Sequence, residues 1–289
     1  MSWFKKIKTR IWLIIATGLC VMGGSFMGVA FVMGGPTELI ITNTGIYQVD
    51  HGNIQSFSQV VDPFDQIQIS GLSHRLEIRQ GQEFRVEGRL NQTPTIAVNQ
   101  GILEINTQRP GQVNVAFTIM GPQVPEQLIV YVPAGTVIED IQVDMFNGRV
   151  MVDQLDIRGG LIRTTNGRID VTNSALSHTE LRTSNGRIYA RDVYFREVTA
   201  ITSNGRIDVF GELHGHTRLT TSNARVNAQV RGSIEDFGYN LRSSGRIDVD
   251  NGRLRVSGNL QNHAANAGVY MPNFLEITTS SGRIDVNFQ

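Results

Sequence analysis

The chain has 289 residues, a formal net charge of zero and one cysteine. Neutrality excludes a nucleic-acid binder held by bulk positive charge, and the lone thiol, Cys20, excludes an internal disulfide framework or a thiolate metal site. With 30 glycines and 7% aromatic residues, the composition suits many short strands and tight turns rather than a bulky helical core.

In chain order, the first element is basic and then apolar. Residues 1–10 carry Lys5, Lys6, Lys8 and Arg10, and residues 11–33 carry no charge. That uncharged stretch is long enough for one transmembrane helix across a hydrocarbon layer of about 30 Å, with some tilt. The basic residues before it predict a cytoplasmic N-terminus, an extracytoplasmic remainder and membrane lipid as the partner of residues 11–33. A cleaved signal peptide is the competing expectation, but the apolar stretch exceeds a signal core and no A-x-A site follows it. Thr17, Gly18 and Leu19 fit a lipoprotein box poorly, which makes Cys20 a buried, unreactive thiol. Gly24 and Gly28 form a G-x-x-x-G pair, a pattern common in membrane helices whether or not they associate. Residues 34–60, rich in Thr, Asn, Gly, Gln and Ser, read as a tether.

Residues 61–140 alternate apolar and polar positions in Gln66-Ile67-Gln68-Ile69, Arg75-Leu76-Glu77-Ile78, Phe84-Arg85-Val86-Glu87 and Leu128-Ile129-Val130-Tyr131-Val132. They predict an antiparallel or irregular β cap. From 141 to 289 an internal repeat takes over. Corners at Asn147-Gly148-Arg149, Asn166-Gly167-Arg168, Asn185-Gly186-Arg187, Asn204-Gly205-Arg206 and Asn223-Ala224-Arg225 recur every 19 residues. Ser244-Gly245-Arg246 and Ser281-Gly282-Arg283 follow at longer intervals. A period of 19 is too short for helical hairpins and close to one turn of a β-solenoid. The expected fold is therefore all-β: a right-handed, β-helix-like stack of about 19-residue coils with an N-terminal β cap, preceded by one transmembrane helix.

Alternation assigns the faces. Ile169, Ile188, Ile207, Val226, Ile247 and Ile284 form one inward column, and Val171, Ala190, Val209, Ala228, Val249 and Val286 another. Upstream of each corner, Ile162, Leu181, Ala200, Leu219 and Ile277 point inward. Thr164, Thr183, Thr202, Thr221 and Thr279 follow on the same face as a buried, hydrogen-bonded ladder. Asn-Gly pairs suit corners because both residues accept positive φ, and stacked asparagine amides can bond along the axis. Arginine and aspartate are left facing water.

The strand-rich lead-in, the segment Val130-Tyr131-Val132-Pro133 and the repeated T-S-N-G-R-I-D-V coils together resemble the bacterial putative-adhesin family, a domain of unknown function, over roughly residues 60 to 289. That family often has aspartate where this chain has arginine after the glycine. The resemblance implies a cell-envelope β-solenoid with no assigned enzyme activity.

The arginines Arg149, Arg168, Arg187, Arg206, Arg225, Arg246 and Arg283 form a row spaced by one coil, about 4.8 Å. Such a comb suits a regular polyanion: phosphate-bearing wall polymers, acidic polysaccharide or anionic lipid headgroups. The bland alternative is a solvated ladder of ion pairs with Asp170, Asp208, Asp248 and Asp285. A carbohydrate-active enzyme on a β-helix would need a carboxylate pair that interrupts the periodicity, and these carboxylates follow it. His214-Gly215-His216 lacks a third metal ligand, and no phosphate loop, nucleophile elbow or zinc signature occurs, so neither cofactor nor metal is expected. Calcium-binding β-roll repeats need glycine-rich nonapeptides and a different period. The sequence thus points to a membrane-anchored, extracytoplasmic binding or scaffold protein of the bacterial envelope. Adhesion or a response to envelope damage would be its role, and anionic envelope polymers or other envelope proteins its partners.

Overall fold

The computed structural model describes residues 38–42, 45–48, 54–71, 74–90, 94–106, 115–118, 126–250, 254–261 and 271–289. The predicted anchor, with Cys20, Gly24 and Gly28, lies outside them; among the described residues no helix is long and apolar enough to cross a membrane. The chain divides into two compact units, 1–53 with 109–124 and 54–108 with 125–289. In the first, strand Glu38–Thr42 pairs antiparallel with Gly45–Gln48 on one side and Val115–Thr118 on the other.

The second unit is the β-solenoid. Each regular coil supplies two main strands around its corner, and successive coils pair parallel in register. Asp140–Met145, Gly160–Thr164, Thr179–Thr183 and Thr199–Thr202 make one sheet. Val150–Asp153, Ile169–Thr172 and the first halves of Ile188–Arg196 and Ile207–Thr221 make a second. A third, narrower face stacks Ile138, Ile157, Leu176, Phe195 and Leu213. The columns expected from alternation are in register, and Ile169, Ile188, Ile207, Val226, Ile247 and Ile284 have no exposed surface. Each such side chain contributes about 1.5–3 kcal/mol by its burial, so a continuous core runs through the stack without any disulfide.

The threonine ladder is buried as expected, and its partners are the corners themselves. Thr183 donates through Oγ1 to the Gly167 carbonyl (3.0 Å) and accepts from the Gly186 N–H (3.1 Å). Thr202 and Thr279 make the same two contacts in their coils, and Thr221 donates to the Gly205 carbonyl (3.0 Å). One hydroxyl thereby satisfies two backbone groups that the bend takes out of the sheet ladders. Outside the corner, Asn166, Asn185, Asn204 and Asn223 each donate to the asparagine one coil earlier, at 2.6 to 2.7 Å.

The reason for glycine at the corner differs from the expected one. Neither the corner asparagines nor the corner glycines adopt positive φ. A Cβ on Gly167, Gly186 or Gly205 would instead lie 1.6 to 1.8 Å from the carbonyl oxygen of the glycine one coil earlier, so backbone approach excludes a side chain. Ala224 stands at the same position, and nothing in the structure explains how its methyl group is accepted. Left-handed bends fall at the other turns, at Gln154, Asn173 and Asp192 and at His178 and Glu197.

Two features of the stack depart from the chain order. Gln66–Ser70 and Arg75–Gly81, expected in the cap, pair parallel with Asp140–Met145 and Val150–Asp153 and form a leading coil. Gln127–Pro133 and Ile102–Asn106 add to its far side, and the antiparallel strands Gln55–Val60 and Thr95–Asn99 pair with Arg85–Leu90 and Ile102–Asn106. Strand Gln55–Val60 belongs to the segment expected as a tether; Phe57 packs against the core there. At the other end, the final coil is not the last in space. Asn273–Thr279 and Ile284–Phe288 insert between the Ala224 coil and the Gly245 coil. The outer edge of the Gly245 coil is taken by Leu254–Gln261, which folds back antiparallel onto Phe237–Val249. The chain that follows must use the inner edge.

Candidate functional site

The seven arginines of the predicted row lie on the outer side of the second sheet, six just before their strands and Arg246 within Phe237–Val249. Their aspartates correct the expectation of a water-facing pair: Asp170, Asp208, Asp248 and Asp285 are only 3–5% exposed. They point outward, as alternation requires, but the stems of two arginines close over each carboxylate. Asp170 is held by Arg149 (2.5 Å) and Arg168, and Asp208 by Arg187 and Arg206, both at 2.8 Å. Asp285 takes Arg225 (2.6 Å) and Arg283 (2.5 Å), while Asp248 takes Arg246 (2.8 Å) and Arg283 (2.6 Å).

The pairing follows from a difference in period. Arginine recurs in every coil, whereas the acidic position is held in spatial order by Met151, Asp170, Tyr189, Asp208, Asn227, Asp285 and Asp248. Each of the first two aspartates serves its own coil and the coil before it, which lacks one. The row therefore carries three more guanidiniums than carboxylates.

Five of the arginines are held in the same way. Arg149, Arg168, Arg187, Arg206 and Arg225 each donate to the carboxylate through Nε. Among the described residues, their Nη groups make no hydrogen bond. The aspartates thus hold the guanidiniums through Nε on side chains that are partly exposed, and these bonds do not use the paired Nη groups, the part that grips a carboxylate or phosphate in a bidentate way. Arg283 differs, because its Nη2 is shared between Asp248 and Asp285.

One tooth of the row escaped sequence reasoning. Leu76 pairs with Val150, so Arg75 stacks beside Arg149, and Glu77, 7% exposed, receives Arg75 (2.5 Å) and Arg79 (3.5 Å). The signal was present in Arg75-Leu76-Glu77-Ile78, which has the alternation of Arg168-Ile169-Asp170-Val171 without the preceding glycine.

In the coil where tyrosine replaces aspartate, Arg168 and Arg187 approach the Tyr189 ring at 5.4 and 4.6 Å from its centroid. Beside it lies an open groove of about 380 Å³, lined by Tyr189, Phe210, Arg191, Arg231, Gln229 and Gln289 among others. The two histidines go separate ways. His214 stacks on Tyr194 at 4.5 Å, and His216 meets Glu276 at 3.2 Å, a carboxylate it shares with Arg218. Among the described residues no group of three or more His, Cys, Asp or Glu could hold a metal ion.

Several solved structures resemble the chain, among them the following three. A putative adhesin from Bacteroides fragilis is 10% identical, with 82% of this chain and 97% of that chain covered and a TM-score of 0.43. A putative cell adhesion protein from Clostridium sporogenes is 11% identical, covering 82% and 100%, with a TM-score of 0.37. A putative lipid binding protein from Parabacteroides distasonis is 13% identical, covering 81% and 97%, with a TM-score of 0.39. No curated protein matches the chain. The Toastrack DUF4097 family model matches residues 64–289, which hold every coil and the whole arginine row, and the chain belongs to that family.

Proposed function

We propose that this protein is a binding scaffold of the bacterial cell envelope: anchored by residues 11–33, with its N-terminus cytoplasmic, it presents the solenoid outside the membrane to an anionic envelope polymer. The anchor and its orientation rest on the uncharged stretch and on Lys5, Lys6, Lys8 and Arg10 before it. The binding role rests on one observation: five half-exposed guanidiniums held through Nε by buried carboxylates at the spacing of one coil, their Nη groups not used in those bonds. Pre-organisation of this kind lowers the entropy lost when a charged chain docks.

The buried aspartates give no support to the carbohydrate-active alternative. Each is covered by arginine and so is closed to a glycosidic bond, whereas a glycosidase presents two carboxyl groups to its substrate.

The test uses the purified full-length chain in detergent and measures binding of acidic polysaccharide and of polyphosphate at low and high salt. Changing Arg187→Gln, Arg206→Gln and Asp208→Asn together removes two forks without stranding a buried charge, and Asn227 shows that the position accepts an amide. Salt-sensitive binding that falls on the order of tenfold in this variant is the expected result. Binding indifferent to both salt and the substitutions would overturn the comb, and release of shortened chains would put catalysis in its place.

A further inference from the structure

The acidic position is interrupted once by an aromatic residue. Tyr189 stands where the coils on either side carry Asp170 and Asp208, and Phe210 lies diagonally across from it in the next coil. Both face outward on a sheet whose outward residues, Met151 apart, are polar or charged in the neighbouring coils, and both are only partly buried. Their ring centroids are 5.8 Å apart with the planes inclined by 58°. Neither ring serves the core, which Ile188, Ala190, Ile207 and Val209 fill from the other face. The rings instead floor the groove of about 380 Å³ beside the arginine row.

The rim also sets two guanidiniums on one carboxylate, here a half-exposed one: Asp192 holds Arg231 at 2.9 Å and Arg191 at 3.5 Å, and Arg231 faces Glu212 as well at 3.9 Å. Gln229 and Gln289 complete the wall with amides that can both donate and accept. Apolar ring faces, amides and guanidiniums in one groove match three features of one ligand: the C–H face of a sugar, its hydroxyl groups and a carboxylate. A polyphosphate has no face to lay on Tyr189 and Phe210. The groove also continues into the row, because Arg187 reaches over Tyr189 at 4.6 Å while bonding Asp208 in the next coil.

We propose that the groove is the saccharide subsite of the polymer site, and that the ligand is an acidic polysaccharide, a chain of sugar rings bearing carboxylates. One ring rests on Tyr189 and Phe210, with neighbouring carboxylates on the arginine row and on the Arg191–Arg231 rim. This inference rests on the binding role proposed above, and it narrows the polymer to one class.

The experiment compares three probes on the full-length chain in detergent: an oligogalacturonate, its methyl ester, which keeps the rings and loses the charge, and a polyphosphate of matched charge. The variant is Tyr189→Asn with Phe210→Thr, placing the residues that other coils carry at those positions, Asn227 and Thr172. It leaves the charge unchanged and the inward columns intact. The oligogalacturonate is expected to bind more tightly than the other two probes and to lose about tenfold or more in the aromatic variant, with polyphosphate binding unmoved. If the aromatic variant leaves oligogalacturonate binding intact while the Arg187, Arg206 and Asp208 variant weakens both polyanions, the saccharide subsite is wrong and the comb stands. If neither polyanion binds at low salt, both fall. If the methyl ester binds as tightly as the acid, the carboxylate assignment is overturned.

Discussion

The regular coils from Gly148 to Ala224 and the two last coils, at Gly245 and Gly282, carry the same motif and yet assemble differently. In the first group each coil sits on its predecessor, the asparagine column runs unbroken from Asn147 to Asn223, and the threonines stack from Thr164 to Thr221. In the second, the chain passes the inner edge of the Gly245 coil, makes an antiparallel turn with Leu254–Gln261, and returns to fill the gap with Asn273–Thr279 and Ile284–Phe288. The motif shapes a coil from within. Its place in the stack depends on which edges are still open when it arrives.

Deleting residues 271–289 tests that difference most severely. In a quasi-one-dimensional stack, loss of one layer exposes only its neighbours. Amide exchange should therefore rise sharply in Val226–Val230 and Phe237–Val249 while Val150–Asp153 and Ile169–Thr172 stay protected. Unchanged protection in the Ala224 and Gly245 coils would mean that these two pair directly and that the stack follows chain order. Next in size is Ile207→Asp, which places an unpaired charge in a fully buried column and should unfold the neighbouring coils; Ile207→Val should cost about 0.5–1.5 kcal/mol. A melting curve for Ile207→Asp that overlays the wild type would show the inward column to be misassigned.

Smaller effects sharpen the comparison between the two groups. At Gly186 an added Cβ would meet the Gly167 carbonyl oxygen at 1.7 Å, while at Gly245 the nearest atom, the Gly282 carbonyl oxygen, is at 2.5 Å. Gly186→Ala should lower the melting temperature by more than Gly245→Ala, and the reverse order would refute backbone approach as the reason for glycine. Thr183→Val keeps the side-chain volume and leaves the Gly167 carbonyl and the Gly186 N–H without their partner. A loss of about 1–3 kcal/mol in denaturant unfolding is expected.

Period and alternation made much of the core legible. The inward isoleucines, the threonine column and the asparagine ladder are consequences of 19-residue spacing, since residues one period apart become neighbours across a parallel ladder. The arginine row was legible as a list of residues, but its electrostatics was not. Nothing in Arg168-Ile169-Asp170 says that Asp170 also receives Arg149 from the preceding coil, because that contact exists only once the coils are stacked. The Tyr189 and Phe210 rings, 21 residues apart, form a pair for the same reason.

By itself, the sequence determined the all-β class, the coil period and the inward columns, because each follows from a local pattern repeated along the chain. Only the tertiary structure decided that Arg75 joins the row, that the last coil lies inside the stack, and that each buried carboxylate is shared by two guanidiniums. Those outcomes depend on contacts between residues far apart in sequence and on competition for open strand edges, and no local pattern encodes which edge a returning strand will find free.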